Sequence, residues 1–124
     1  MASYIAHCGN DYWRKDYTVN VDRRLALMPA AQAGIREDKR GTHLISYTTL
    51  VCTIDPEGWL TCTGTYSATT RRHINRFLRE VAGDAADYYT AKRCYERDEA
   101  YNIHTGEILP LADYAKLEEE RRIA

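Results

Sequence analysis

Long apolar runs are missing from this 124-residue chain, as are any surplus of one charge sign, any closely spaced pair of cysteines and, Phe77 apart, phenylalanine. Each absence removes a class. A membrane-spanning helix needs about 18 consecutive apolar residues, and no stretch approaches that length. Met1 to Asn10 carries neither the basic segment nor the apolar stretch of a secretion signal. The chain therefore reads as cytoplasmic and without a membrane partner. Its 17 Lys and Arg against 18 Asp and Glu leave a formal net charge of −1. No global basic field draws it onto nucleic acid, so any such contact has to come from a local patch.

The four cysteines, Cys8, Cys52, Cys62 and Cys94, are widely separated. That spacing encodes neither a redox motif nor a zinc site, and in a reducing compartment such residues serve as small buried hydrophobes. No metal or cofactor is implied. What is present suits one folded domain over residues 1–124, since 44% hydrophobic and 28% charged residues lie far from the composition of disordered chains. Ten tyrosines, each with an apolar ring and a polar tip, fit a thin core whose aromatics reach the surface, or a binding face.

The expected fold class is α+β: a small antiparallel sheet centred on a hairpin at about residues 44–66, packed against an amphipathic helix at about 68–82 and further helices. Asp55-Pro56-Glu57-Gly58 has the residue types of a three-residue hairpin loop with a bulge, Gly58 taking the positive φ. The register follows as Ile54–Leu60, Thr53–Thr61, Cys52–Cys62, Val51–Thr63 and Leu50–Gly64. Leu50, Cys52, Ile54, Leu60 and Cys62 then face the core. Thr49, Val51, Thr53, Trp59, Thr61, Thr63 and Thr65 share the other face. Ser67 is an N-cap for Thr70, and Ile74, Phe77, Leu78, Val81 and Ala82 recur at helical spacing until Gly83.

Elsewhere, Ser3–Cys8 and Tyr17–Val21 read as strands flanking a turn at Gly9-Asn10-Asp11. A helix is expected from about Pro29 to Lys39, closed by Gly41. Another should be capped by Asp84 and run to about Arg97, with Tyr88, Ala91, Cys94 and Tyr95 inward. Tyr101–Ile103 and Glu107–Leu109 suit a short hairpin, and Leu111–Ala124 a terminal helix. A lone hairpin is marginal, so strands must come from the N-terminal segment, from the Tyr101–Leu109 region or from a second copy in a homodimer.

The candidate chemistry gathers on the helix after Ser67. Arg72, Arg76 and Arg79 fall in a narrow arc opposite the apolar stripe, a ridge suited to phosphates or an acidic protein patch, although Glu80 and other acids nearby would make it an ordinary solvated face. Arg71 and Arg72 also oppose the helix dipole. Tyr88 and Tyr89 are aromatic anchors of the kind interfaces favour. Ser67, Thr69, Thr70 and His73 form a polar cluster at the helix start, suited to an anion or small ligand, unless capping and a hydrogen bond from His73 to a strand carbonyl account for them. No catalytic residue stands out. Neither a Cys–His pair nor the acidic pairs Glu37-Asp38, Asp98-Glu99 and Glu118–Glu120 has the setting of a nucleophile or an acid–base couple.

Ser46-Tyr47-Thr48-Thr49-Leu50-Val51, the turn after Ile54-Asp55, and Gly64 through Leu78 together resemble a small domain of short bacteriophage and mobile-element proteins. Its pattern is S-Y-x-T, I-D, G-x-Y-S-x-T-T-x-x-H-I-x-x-F-L, and the likeness covers about residues 44–80. The domain has no assigned activity, so no functional residue is carried over. The resemblance implies a setting, a phage-type accessory protein, in a class that includes anti-CRISPR and other anti-defence inhibitors. The expected function is therefore non-enzymatic binding that blocks a host defence protein, such as a CRISPR effector or another defence nuclease, through Arg72, Arg76 and Arg79. Two alternatives stand beside it: nucleic-acid binding through the same face, and a small-ligand or enzymatic site at Ser67, Thr70 and His73.

Overall fold

The computed structural model describes residues 3–6, 17–25, 32–64 and 67–123. In chain order the elements are β1 (Ser3–Ala6), β2 (Tyr17–Asn20), β3 (Arg23–Arg24), β4 (Ala33–Asp38), β5 (Gly41–Ser46), β6 (Thr49–Ile54), β7 (Trp59–Cys62), α1 (Ala68–Ala82), α2 (Tyr88–Arg97), β8 (Glu99–Asn102), β9 (Ile108–Pro110) and α3 (Leu111–Ile123). β1 and β2 pair with each other. The other seven strands form one antiparallel sheet in strict sequence order, β3 to β9.

The central hairpin forms as its turn chemistry requires. Gly58 N–H donates to the Asp55 carbonyl at 2.9 Å, Asp55 N–H donates to the Trp59 carbonyl at 3.0 Å, and Gly58 sits at φ +95°. The pairs Cys52–Cys62, Thr53–Thr61 and Ile54–Leu60 follow. Past Cys62 the strand pairing gives way to single bonds from Thr63, whose amide reaches the Val51 carbonyl at 2.8 Å and whose hydroxyl reaches that of Leu50 at 2.9 Å. Thr65 lies outside the described residues.

A bulge changes one part of the expected alternation. Where β5 pairs with β6, Leu44 opposes Cys52 and Ile45 opposes Leu50, leaving Val51 as the extra residue. Val51 therefore turns into the core and is fully buried. Leu50 swings to the opposite face, beside Thr53 and Thr61.

The expected helix up to Lys39 is not formed over its described part. Residues 33–38 are β4, Lys39 and Arg40 make a tight turn in which Arg40 N–H donates to Asp38 Oδ1 at 2.8 Å, and Gly41 opens β5; Pro29 lies outside the described residues. Helix-favouring composition yields here to cross-strand pairing, because Ile35 extends the buried row Ile35–Leu44–Cys52–Cys62 across four strands. Gly34 was the local sign: a Cβ there would lie 2.8 Å from both Val21 Cγ2 and the Arg23 carbonyl, so only glycine admits the β3 segment at this distance.

That row packs against Ile74, Phe77 and Leu78 of α1 and Tyr88, Ala91 and Cys94 of α2. α1 starts at Ser67, whose hydroxyl accepts from Thr70 N–H at 3.2 Å, and stops at Gly83. α2 is capped by Asp87, not Asp84. The Asp87 carboxylate accepts from Thr90 N–H, and the Thr90 hydroxyl accepts from Asp87 N–H. Tyr88, Ala91 and Cys94 recur at i, i+3 and i+6 and face inward, whereas Tyr95, about 100° beyond Cys94 round the helix, is 45% exposed rather than inward. The other face of the sheet carries a smaller core in which Trp59 and Ala100 meet Tyr114, Leu111 and Leu117 of α3. The sheet is thus sandwiched, two helices on one side and one on the other. Its added strands come from residues 23–46 and 99–110 of the same chain, so no strand from a second copy is needed.

Of the cysteines, Cys52, Cys62 and Cys94 are buried free thiols; Cys8 and the turn Gly9-Asn10-Asp11 lie outside the described residues. Burial pushes the Cys94 thiol up to about 12, which makes it an inert core group.

Candidate functional site

With Ile74, Phe77 and Leu78 pressed onto the sheet, the helical repeat directs Arg72, Arg76 and Arg79 outward. Together with Asn75 they line a shallow depression of about 450 Å³. Among the described residues none of the three arginines takes part in an ion pair or a hydrogen bond. The carboxylate that could have neutralised them, Glu80, is held by Arg23 of β3 at 2.8 Å. The ridge therefore presents uncompensated positive charge, against the pairing seen at Arg93 with Glu99 (3.2 Å) and at Arg121 with Asp55 (2.6 Å).

Arg71, in the first turn, behaves differently. Its guanidinium lies 4.7 Å from the centroid of the Tyr88 ring and 5.7 Å from that of Tyr89, and it donates to the Tyr89 hydroxyl at 3.1 Å. The aromatic faces offset the cost of a cation at a helix N-terminus. Tyr88 and Tyr89 meet edge to face at 5.6 Å. Only one of these two expected anchors is available to a partner, since Tyr88 is buried in the core while Tyr89 is 63% exposed. Asn75 ties the two helices together by accepting from Tyr88 N–H at 3.2 Å.

The polar cluster at the start of α1 closes on itself. His73 Nδ1 bonds to Ser46 Oγ at 2.8 Å, the Ser46 hydroxyl lies 3.4 Å from Thr70 Oγ1, and Ser67 Oγ donates to Thr70 Oγ1 at 3.2 Å. His73 thus bonds a serine hydroxyl rather than a strand carbonyl. The Tyr47 ring tilts against His73 at 5.9 Å, and Thr69 is half-buried beside them. Burial, and secondly Arg72, lowers the His73 pKa; the neutral ring is the form this site favours. Ser46, Thr70 and His73 are all buried, so these groups strut the β5–β6 turn to α1 rather than face an open cleft. The strut thus joins the end of β5 to the first turns of α1.

Two further constellations carry no linear motif. Asp55, buried in the hairpin loop, accepts from the amides of Glu57 and Trp59, each at 2.9 Å, and from Tyr114 Oη at 2.7 Å and Arg121 at 2.6 Å. Burial would raise its carboxyl, but the Trp59 amide, the Tyr114 hydroxyl and the Arg121 guanidinium outweigh that and hold it below its ordinary value. His43, also buried, joins Thr53 Oγ1 through Nδ1 and Asp38 Oδ1 through Nε2, both at 2.8 Å. The seven-residue spacing of Tyr114 and Arg121 on one helix face was the only trace of the first; the second exists only through cross-strand register. Asp98, by contrast, is the left-handed C-cap of α2.

Among the described residues no group of three or more His, Cys, Asp or Glu is placed to hold a metal, and no helix is long and apolar enough to cross a membrane. Fold and surface thus define a class: a meandering antiparallel sheet between helices, with one helix offering an unpaired arginine face. A family model matches residues 20–97, from the end of β2 through α2, and the chain belongs to that family, a family of unknown function (DUF8033). Neither a curated protein nor a solved structure matches the chain.

Proposed function

We propose that this protein acts by binding, docking the arginine face of α1 on an acidic surface of a partner protein. In the phage-type setting suggested by the sequence pattern, that partner is a host defence protein such as a CRISPR effector or another defence nuclease, and docking inhibits it. One observation carries the reading: Arg72, Arg76 and Arg79 are left without an acidic partner among the described residues while Glu80 is drawn away to Arg23. Three guanidinium forks on one helix face suit carboxylates, and Tyr89 supplies an aromatic contact at the edge. The near-zero net charge disfavours a nucleic-acid partner, which ordinarily selects a basic domain.

The test replaces Arg72, Arg76 and Arg79 together with Ala. All three are surface groups without internal partners, so the melting temperature should stay within a few degrees of wild type. Inhibition of a host defence nuclease, and capture of that nuclease from bacterial lysate, should be lost. Retained inhibition by a folded triple variant refutes the reading. Loss of binding to purified DNA or RNA, with a steep salt dependence in the wild type, would move the assignment to nucleic acid.

A further inference from the structure

On the face of the sheet opposite α1 and α2, Arg36, His43, Thr53 and Thr61 are successive cross-strand neighbours on β4 to β7. α3 does not seal this row. Between them lies a cavity of about 600 Å³, within the range of small-molecule sites, remote from the arginine face and independent of it.

The hydrogen-bond inventory of the walls is lopsided. His43, only 3% exposed, is fixed at both nitrogens. The tautomer that donates from Nε2 to Asp38 leaves Nδ1 accepting the Thr53 proton, so the hydroxyl turns its remaining lone pairs elsewhere. Asp38 Oδ1 takes His43 and the Arg40 amide, and the His43 bond is the main reason that its carboxyl stays below the ordinary value. The donors, in contrast, are in excess. Arg36 Nε is buried without a hydrogen-bond acceptor, 3.9 Å from the nearer Asp38 oxygen and beyond bonding reach. Neither the Arg40 guanidinium nor the Thr61 hydroxyl has a partner among the described residues. Two guanidinium groups, Arg36 and Arg40, thus stand at one end of the cavity against a single carboxylate, Asp38, whose Oδ2 lies 3.9 Å from Arg36 Nε, which leaves one positive charge there unmatched.

The remaining wall sets the rest of the ligand. Leu50, brought to this face by the bulge, and Leu111 and Ala115 of α3 give an apolar surface, and Glu118 adds one carboxylate at the α3 side. We propose that this cavity binds a small monocarboxylic acid with a hydroxyl or amino substituent. Its carboxylate is held by Arg36 and Arg40, its body rests on Leu50, Leu111 and Ala115, and its substituent donates to Glu118. Asp38 shares the Arg36–Arg40 end, so the two guanidinium groups leave room for one ligand carboxylate, and Glu118 repels a second anionic group.

The test follows amide shifts of His43, Thr53 and Thr61 in the full chain at constant ionic strength, with 4-hydroxybenzoate as the probe and tyramine, a cation with a similar body, as the control. The expected result is saturable shifts with 4-hydroxybenzoate and none with tyramine. Arg36→Gln and Arg40→Gln, each checked for an unchanged melting temperature, should weaken binding about tenfold or more. Arg40 lies in an exposed turn, so its variant keeps the test valid if Arg36→Gln is poorly folded. Glu118→Gln should admit benzene-1,4-dicarboxylate, which the wild type rejects, a gain that a merely structural role for Glu118 would not produce. No saturable shift with 4-hydroxybenzoate, an equal response to tyramine, or unchanged affinity in folded Arg40→Gln overturns the proposal.

Discussion

Replacing Asp55 with Asn perturbs the group through which the central loop holds α3. The Asp55 side chain is 2% exposed, and its Oδ2 receives Arg121 at 2.6 Å and the Tyr114 hydroxyl at 2.7 Å. Asn keeps an acceptor for the Glu57 and Trp59 amides but sets an NH₂ group against two donors and removes the charge. Hydrogen bonds to a charged partner contribute roughly 1.5–3 kcal/mol each. Arg121, 27% exposed, can turn back to water, so the loss should be about 3 kcal/mol, a large part of a domain stability of roughly 5–15 kcal/mol. Urea unfolding at pH 7 measures it, and hydrogen exchange should show α3 losing protection while α1 keeps it. The pH dependence has a defined sign. The folded-state pKa of Asp55 is lowered, so its contribution is fully present above the unfolded value of about 4 and fades as pH falls through the lower folded value. Wild type should therefore lose more stability than Asp55→Asn between pH 5 and pH 2. A change below about 0.5 kcal/mol at pH 7, or parallel acid profiles, would refute the clamp.

Ser46→Ala strands buried His73 Nδ1 and should cost about 1–3 kcal/mol in chemical denaturation, with Ser46→Thr retaining more of the bond than Ala. Gly34→Val drives a branched side chain into Val21 and the Arg23 carbonyl and should lower stability by about 1–3 kcal/mol; an unchanged melting temperature would contradict the close approach. Cys94, 2% exposed with its thiol pushed up to about 12, should react with an aromatic disulfide reagent at pH 8 only as fast as the domain opens. Labelling of Cys94 on the timescale of an exposed thiol would place it outside the core.

The elements that could be inferred from sequence are those whose signals are local. The Asp55–Gly58 loop fixes its own register, and Ser67, the Ile74–Phe77–Leu78 stripe and Gly83 each act within a turn or two of α1. The arginine face follows from the same wheel. The strand at Ala33–Asp38 was hidden because its residues favour a helix in isolation and gain their reason to extend only from β5, with Gly34 as the one discordant residue. Val51 and Leu50 exchanged faces because a bulge depends on two strands at once. The Asp55 clamp and the Asp38–His43–Thr53 chain join residues brought together by register and by the docking of α3, which no window along the chain contains. Tyr88 and Tyr89 show the same limit, since composition marks both as anchors and packing leaves only Tyr89 outside.

The outermost strands of the large sheet have a bearing on behaviour at high concentration. β3 is two residues long, both exposed arginines, and β9 is three residues long and ends at Pro110, which has no N–H to offer. Short, charged or proline-ended borders are poor templates for a foreign strand. Such borders disfavour edge-on stacking of this sheet into fibres and favour a partner that reads side chains over one that extends the backbone ladder.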